Sequence, residues 1–330
     1  MAIGDICFHV VLCSHNGASF LDEQITSILS QGDEIKTVHV HDFASMDNSR
    51  LVLERLSEQF GTRIELTFHT DAPGASASFL RALQRTAPSL PKGALVFLAD
   101  QDDVWLPGKL ARIELELERC MLDPTDPFIL FHDVHVVDES LRVTRLTYYT
   151  GNPFAVPRDL DRSRLLMANP AIGHTMLMSL PLMRFVATWP ETQHYMMHDW
   201  LAILIASRVG RIEYVPEALS LYRQHDNNVL GAYRTRGGIA SVSRLLKFVD
   251  RMVIQAMSFA RAVHCLPSSR TVATSRLESL CRRGYRSAAL ALSVGAVVRG
   301  PTWQRKAIGL LLLVRAIIGS HNQDIRQGRS

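Results

Sequence analysis

Residues 97–105 read Phe-Leu-Ala-Asp-Gln-Asp-Asp-Val-Trp, so an apolar run stops abruptly at three carboxylates in four positions, Asp100, Asp102 and Asp103. Carboxylates crowded at the end of a strand repel one another and resist losing water, so the site calls for a cation. Hard oxygen donors at this spacing suit Mg²⁺ or Mn²⁺, ions that bridge phosphate oxygens. A lone Asp-x-Asp also occurs as a plain solvated turn, and its surroundings must decide. A further carboxylate stands in Met197-His198-Asp199-Trp200, just before an apolar helix expected over residues 201–207. There it meets the favourable field of free NH groups and tends to stay ionised, which serves a helix cap or a general base alike.

The elements that position these groups follow from hydrophobic spacing. Residues 6–12, 37–40, 63–68 and 94–99 read as strands, and residues 20–30, 50–59, 78–85 and 110–121 read as helices. Strands alternating with helices imply a parallel sheet built from right-handed crossovers, which binds ligands at the carboxyl ends of its strands. Three polar turns, at residues 13–17, 41–48 and 100–103, fall at such ends. The first half is thus a nucleotide-type site by topology. Asp42 and Asp47 have turn-forming and capping readings as well. Glu114, Glu116 and Glu118 are expected on a solvated helix face. His132, Asp133 and His135 lie on a strand over residues 129–137, where alternating neighbours face opposite ways and do not converge on a metal.

Composition bounds the class. The 330 residues are 47% hydrophobic and 21% charged, which is globular rather than disordered. The net +4 hides an asymmetry: residues 231–330 hold 17 Lys and Arg against 3 Asp and Glu, a net of +14, leaving the first 230 residues at −10. A basic tail on an acidic body points to a negatively charged partner. Five scattered cysteines make no Cys-x-x-Cys pair, so neither a zinc site nor a disulfide framework is expected. Reduced thiols suit a cytoplasmic setting. The start shows no signal-peptide pattern, and no apolar stretch reaches spanning length.

Asp100-Gln101-Asp102-Asp103-Val104-Trp105, with Lys109 after it, resembles the Asp-x-Asp segment of family 2 glycosyltransferases, and most nearly the rhamnosyltransferase-like members. Ser14-His15-Asn16-Gly17 is similar to the family's first turn. Asp42-Phe43-Ala44-Ser45-Met46-Asp47 is similar to its second, with Phe43 and Ala44 in place of the usual Asp and Gly. Asn169 to Met176 resembles the segment beneath the acceptor sugar, His198-Asp199-Trp200 the turn holding the catalytic base, and residues 222–228 (Tyr-Arg-Gln-His-Asp-Asn-Asn) the segment closing over the diphosphate. The resemblance spans about residues 7–231.

It implies an α/β GT-A fold: a Rossmann-like mixed, mostly parallel sheet with helices on both faces, in residues 1–232. A basic helical extension follows in residues 233–330. It implies an inverting, metal-dependent transferase with Asp199 as base. Ser14, His15, Asn16, Asp42, Ser45, Asp100, Gln101 and Arg223 would bind the nucleotide-sugar donor. Trp105, Gly173, His174, His198 and Trp200 would bind the acceptor, and Asp100, Asp102 and His225 the Mn²⁺ or Mg²⁺. Residues 147–157 would form a loop over the acceptor. The nearest relatives suggest dTDP-rhamnose as donor and a lipid-linked cell-envelope saccharide as acceptor. The same carboxylates leave open a metal-dependent phosphoesterase or nucleotidyltransferase, or a non-catalytic scaffold.

In the tail, Gly237-Gly238 reads as a hinge, residues 242–263 as an amphipathic helix, and residues 287–298 and 307–319 as short apolar helices. Flanked by Arg282, Arg283, Arg286, Arg299, Arg305 and Lys306, they fit a peripheral contact at the inner face of the cell membrane, or packing within a bundle or homo-oligomer. The tail has no nucleic-acid motif and few aromatics for base stacking, so DNA and RNA are not expected partners.

Overall fold

The computed structural model describes residues 7–150, 160–190, 192–225, 239–267, 276–299 and 303–318. The chain forms two compact units. The first is Met1–Thr150, Ala171–Thr188 and Met197–Gly231; the second is Gly151–Pro170, Trp189–Met196 and Ala232–Ser330.

In the first unit, β1 (Phe8–Ser14), β2 (Ile35–Phe43), β3 (Ile64–His69) and β4 (Leu95–Ala99) alternate with α1 (Leu21–Leu29), α2 (Ser49–Phe60) and α3 (Ala75–Thr86). All pairings among these strands are parallel, β1 lying between β2 and β4, and β3 outside β2. Every residue of β4 is buried, because a strand covered on both faces needs no polar alternation. In α1, Leu21, Ile25, Ile28 and Leu29 turn one apolar stripe inward.

The second half of the unit mixes directions. It contains β5 (Val104–Trp105), α4 (Lys109–Arg119), β6 (Phe128–Val137) and β7 (Val143–Arg145). After α5 (Arg162–Leu165), which belongs to the second unit, come β8 (Met176–Ser179), α6 (Leu180–Ala187), α7 (His198–Val209) and β9 (Arg211–Arg223). The strand order is β3-β2-β1-β4-β8-β6-β9-β5, with β7 on β6. β8 runs antiparallel to β4 and β6, and β9 runs parallel to β6 but antiparallel to β5. The outcome is the expected mixed α/β sheet with helices.

Two expectations are corrected here. Trp105 sits in β5 opposite Ser220, so it belongs to the core: it is 2% exposed, 4.8 Å edge-on from Phe97, with Lys109 Nζ 3.7 Å from its ring centre. Glu116 is not on a solvated face either. It is buried between Arg112 and Arg119, whose hydrogen bonds, Arg119's first, hold its carboxyl down at about 2. On β6, Asp133 accepts from Tyr148 N at 3.0 Å and from Thr147 Oγ1, and His135 Nδ1 meets Leu146 O at 2.8 Å. These side chains anchor the segment after β7.

One face of β1, β2 and β3 carries four histidines. His9 Nδ1 lies 3.2 Å from His39 Nε2, and His41 Nδ1 lies 3.2 Å from His69 Nε2. Burial, reinforced by neighbouring imidazoles, pushes His9 down to about 4 and His41 down to about 3.

The second unit is helical where described: α5, α8 (Ile239–Ala262), α9 (Arg276–Cys281), α10 (Tyr285–Arg299) and α11 (Trp303–Ile318). Val249, Met252, Val253, Ala256 and Phe259 form the buried stripe of α8. Asp250 on α8 accepts from Tyr285 Oη and from the Arg315 guanidinium, joining α8, α10 and α11. Among the described residues no helix is long and apolar enough to cross a membrane. The Gly237-Gly238 hinge and residues 151–157 and 226–228 lie outside the described residues.

Candidate functional site

A cavity of about 660 Å³ opens in the first unit, within the size range of small-molecule sites. Its walls come from the carboxyl ends of β1, β2 and β4, the start of α3, the turn before β8 and the start of α7. Side chains from these separated stretches share it: Ser14, His15 and Asn16, then Asp100, Gln101 and Asp102, then Gly173, His198 and Asp199, and finally His225.

The first two turns are zipped together. Asn16 N donates to Ser45 Oγ at 2.8 Å, Met46 N to Asn16 Oδ1 at 2.8 Å, and Gly17 N to Ser49 Oγ at 2.9 Å. Asp47 closes the join by accepting from Ala18 N at 3.1 Å and from Ser49 N at 2.9 Å. Gln101 then straps the acidic turn to the first one, its Oε1 accepting from His15 N at 2.8 Å. A Cβ on Gly17 would lie 2.4 Å from that Oε1, so the position admits only glycine unless Gln101 moves. Asp42 and Ser45 support this turn from behind. Ser45 Oγ donates to Asp42 Oδ1 at 2.6 Å, and neither residue lines the cavity.

The acidic turn divides its carboxylates. Asp100 and Asp102 face the cavity, whereas Asp103 is 1% exposed and turned inward. His174 Nδ1 lies 2.9 Å from Asp103 Oδ2 and 3.4 Å from Asp100 Oδ2. Burial opposes a charge on this ring, but Asp103 and then Asp100 outweigh it and push His174 up to about 10. His174 is thus held between carboxylates that favour its charged form and is buried off the cavity, which corrects its expected acceptor contact. Asp102 pairs with His225 Nε2 at 2.7 Å, and the His225 ring stacks on Phe20 at 5.2 Å. Burial, with Asp103 and Asp100 adding repulsion, lifts the Asp102 carboxyl to about 7 despite His225.

Arg223 is placed otherwise than expected. Its Nε donates to Asp102 O at 2.8 Å, Nη1 to Glu139 O at 2.6 Å and Nη2 to Glu23 Oε2 at 2.5 Å. Its backbone N donates to Asp103 Oδ1 at 3.1 Å. Off the cavity and buried, it braces the acidic turn instead of reaching a donor phosphate. Gln24 adds a second brace, its Nε2 donating to Asp100 O at 2.7 Å.

Across the cavity, Asp199 opens α7. Its Oδ1 accepts from Trp200 N at 2.5 Å, and burial lifts its carboxyl to about 7 against that bond and one from the Gly173 backbone. His198 stacks on Phe79 at 4.1 Å and is only 3% exposed, with both ring nitrogens unpaired. Burial pushes it down to about 4, so it is neutral and offers one donor and one acceptor. A Cβ at Gly173 would stand 2.8 Å from His198 Nε2 and 3.7 Å from Asp199 Cβ, so the glycine lets this corner close. Trp200 faces the core rather than the cavity, another corrected acceptor residue. Phe20, Phe43, Phe79 and Tyr222 line the cavity without having been singled out for it. Tyr222 left a trace as the first residue of the 222–228 segment, and Phe43 as a departure within the second turn.

Residues 9–153 match the family described as Glycosyl transferase family 2. An uncharacterized glycosyltransferase of Nostoc is 33% identical over 104 residues, 32% of this chain, and the match spans only 30% of that relative's length. The dTDP-rhamnosyl transferase RfbG of Shigella flexneri is 21% identical over 234 residues, covering 67% of this chain and 74% of that one. Among solved structures, Staphylococcus aureus TarS 1–349 in complex with UDP-GlcNAc superposes with a TM-score of 0.57 at 15% identity, over 94% of this chain and 81% of that one, a likeness of fold. With the shared cavity and its carboxylates already in place, residues 9–153 are similar to glycosyltransferase family 2, and the fold is that of GT-A glycosyltransferases.

Proposed function

We propose that the cavity binds a nucleoside diphosphate sugar and that the chain transfers the sugar to a saccharide hydroxyl with inversion. One observation carries this reading: Asp102 and Asp199, far apart in sequence, line the same cavity. For a divalent cation this reading takes the residues that line one wall of the cavity. Asp100, Asp102 and His225 present two carboxylates and an imidazole to the cavity, hard donors that suit Mn²⁺ or Mg²⁺. Burial and then the charges of Asp103 and Asp100 lift the Asp102 carboxyl, and a dication beside it would offset both. Asp100, Asp103 and His174 form a second set, with donor atoms within 4.8 Å of one another, that could hold such an ion once the His174 ring gives up its proton. Held by Asp100, Asp102 and His225, such an ion would supply charge compensation for the leaving diphosphate.

The chain's own residues do the rest. Asp199, its pKa raised by burial, accepts the proton of the attacking acceptor hydroxyl. His198, its ring stacked on Phe79, would exchange hydrogen bonds with a sugar hydroxyl. A single base and a single displacement give inversion. The donor we favour is dTDP-rhamnose, supported by the DQDDVW segment and the likeness to RfbG. The acceptor is a lipid-linked saccharide of the cell envelope, and the protein works at the cytoplasmic face of the membrane as a peripheral protein.

The test is a panel of nucleotide sugars assayed with Mn²⁺ for free nucleoside diphosphate and transferred sugar. Turnover should be greatest with dTDP-rhamnose. Asp199→Asn should lower turnover by about 10²- to 10⁴-fold while leaving donor affinity nearly intact. Undiminished turnover would remove Asp199 from the mechanism, and release of inorganic phosphate would favour a phosphoesterase.

A further inference from the structure

We propose that the exposed apolar faces of α10 and α11 dock on an anionic lipid bilayer. The inference rests on the reading above that the protein works at a membrane, and it gives that contact a surface and a lipid chemistry. On α10, Leu290 and Val294 are exposed one turn apart, with exposed Arg286 one turn before them. On α11, Leu310, Val314 and Ile317 follow i, i+4, i+7 spacing and are 61%, 38% and 71% exposed. The two helices pack on each other. Their inward positions are filled separately, by Ala288, Ala289 and Leu292 on α10 and by Ile308 and Leu312 on α11. The outer apolar residues are thus surplus to the core of the unit, as at an interaction surface.

Charge selects the occupant. Among the described residues of α8 to α11, Lys247, Arg251, Arg261, Arg283 and Arg286 around these helices are exposed, and no acidic side chain is. Asp250 is taken up by Tyr285 and Arg315, and Glu278 is 2% exposed. Arg315, which by sequence interrupts an apolar helix, is thus spent inside the unit and leaves the apolar stripe of α11 continuous. Two copies meeting through this surface would oppose like charges, whereas anionic headgroups supply the missing counter-charge. With 15 and 16 residues, α10 and α11 are too short to span hydrocarbon, for which about 20 are needed, and suit lying in the interfacial plane.

The experiment is flotation of the full chain, without donor or acceptor, with vesicles of phosphatidylcholine alone or mixed with phosphatidylglycerol. The protein should float with the phosphatidylglycerol vesicles, stay behind with phosphatidylcholine, and be released by high salt. Leu310→Glu combined with Ile317→Glu should lower partition about tenfold or more, with melting temperature and nucleotide affinity unchanged because both positions are exposed. Failure to float with phosphatidylglycerol, or equal flotation of the variant, would overturn the proposal. So would a variant that changes only the oligomeric state by light scattering, which would assign the face to a second copy. Sugar transfer is measured separately on soluble acceptor, so absent transfer with intact flotation rejects the transferase reading and leaves the lipid surface standing.

Discussion

Asp199 and Arg223 illustrate opposite uses of a buried charge. Burial, with the Asp100 charge adding to it, lifts Asp199 toward neutrality, to about 7, so a modest change of pH empties or fills it. A base must be deprotonated to act. Turnover should therefore be full above pH 7, fall to half near pH 7 and drop about tenfold per unit below it, a limb measurable as kcat/KM against pH. Arg223 spends its guanidinium on Asp102 O, Glu139 O and Glu23. Arg223→Lys keeps the charge but loses the fork, so Mn²⁺-dependent turnover should fall about tenfold with metal-free nucleotide affinity unchanged. Glu23→Gln should act in the same direction, and a double-mutant cycle should show the two coupled. Loss of metal-free nucleotide affinity in Arg223→Lys would restore the phosphate-contact role. Asp100, Asp102 and Asp199 were legible because carboxylates at strand and helix ends announce themselves. The clamp of His174 on Asp103 was not, because nothing local in either segment encodes a pairing made across the sheet.

At the scale of elements, β4 was legible because a doubly covered strand is apolar without interruption, and β1 and β2 because apolar, β-prone residues dominate them despite their histidines. β5 and β8 were not: two and four residues carry no period, and each exists only by pairing with a distant strand. β5 decides where Trp105 points, so missing it moved that ring from the core to the acceptor. The histidine face has its own thermodynamic signature. His9 and His41 stay neutral in the fold, at about 4 and about 3, while an unfolded histidine titrates near 6.5. As pH falls below that value the unfolded chain takes up protons that the native sheet refuses. The stability these groups contribute is therefore present above pH 6.5 and lost below it, by about 1.4 kcal/mol per ring and pH unit. Urea midpoints between pH 7 and 4.5 should show this slope, and His41→Gln should flatten it.

At the scale of the whole molecule, charge is sorted by position: the first 230 residues carry −10 and the remainder +14. This division was readable from composition. What composition could not reveal is that Asp250 and Glu278, two of the tail's acidic residues, are withdrawn from its surface. The same inward neutralisation recurs in the acidic turn, where Asp103 faces a charged imidazole rather than the cavity. Stripping divalent ions with EDTA should abolish turnover yet shift the melting temperature by only a degree or two, and readdition of Mn²⁺ should restore full rate without a refolding lag. A large fall in melting temperature would mean that the ion, and not His174, keeps the turn in shape. A counter-charge carried by the sequence itself thus lets the acidic turn hold its shape whether or not a dication is seated beside it.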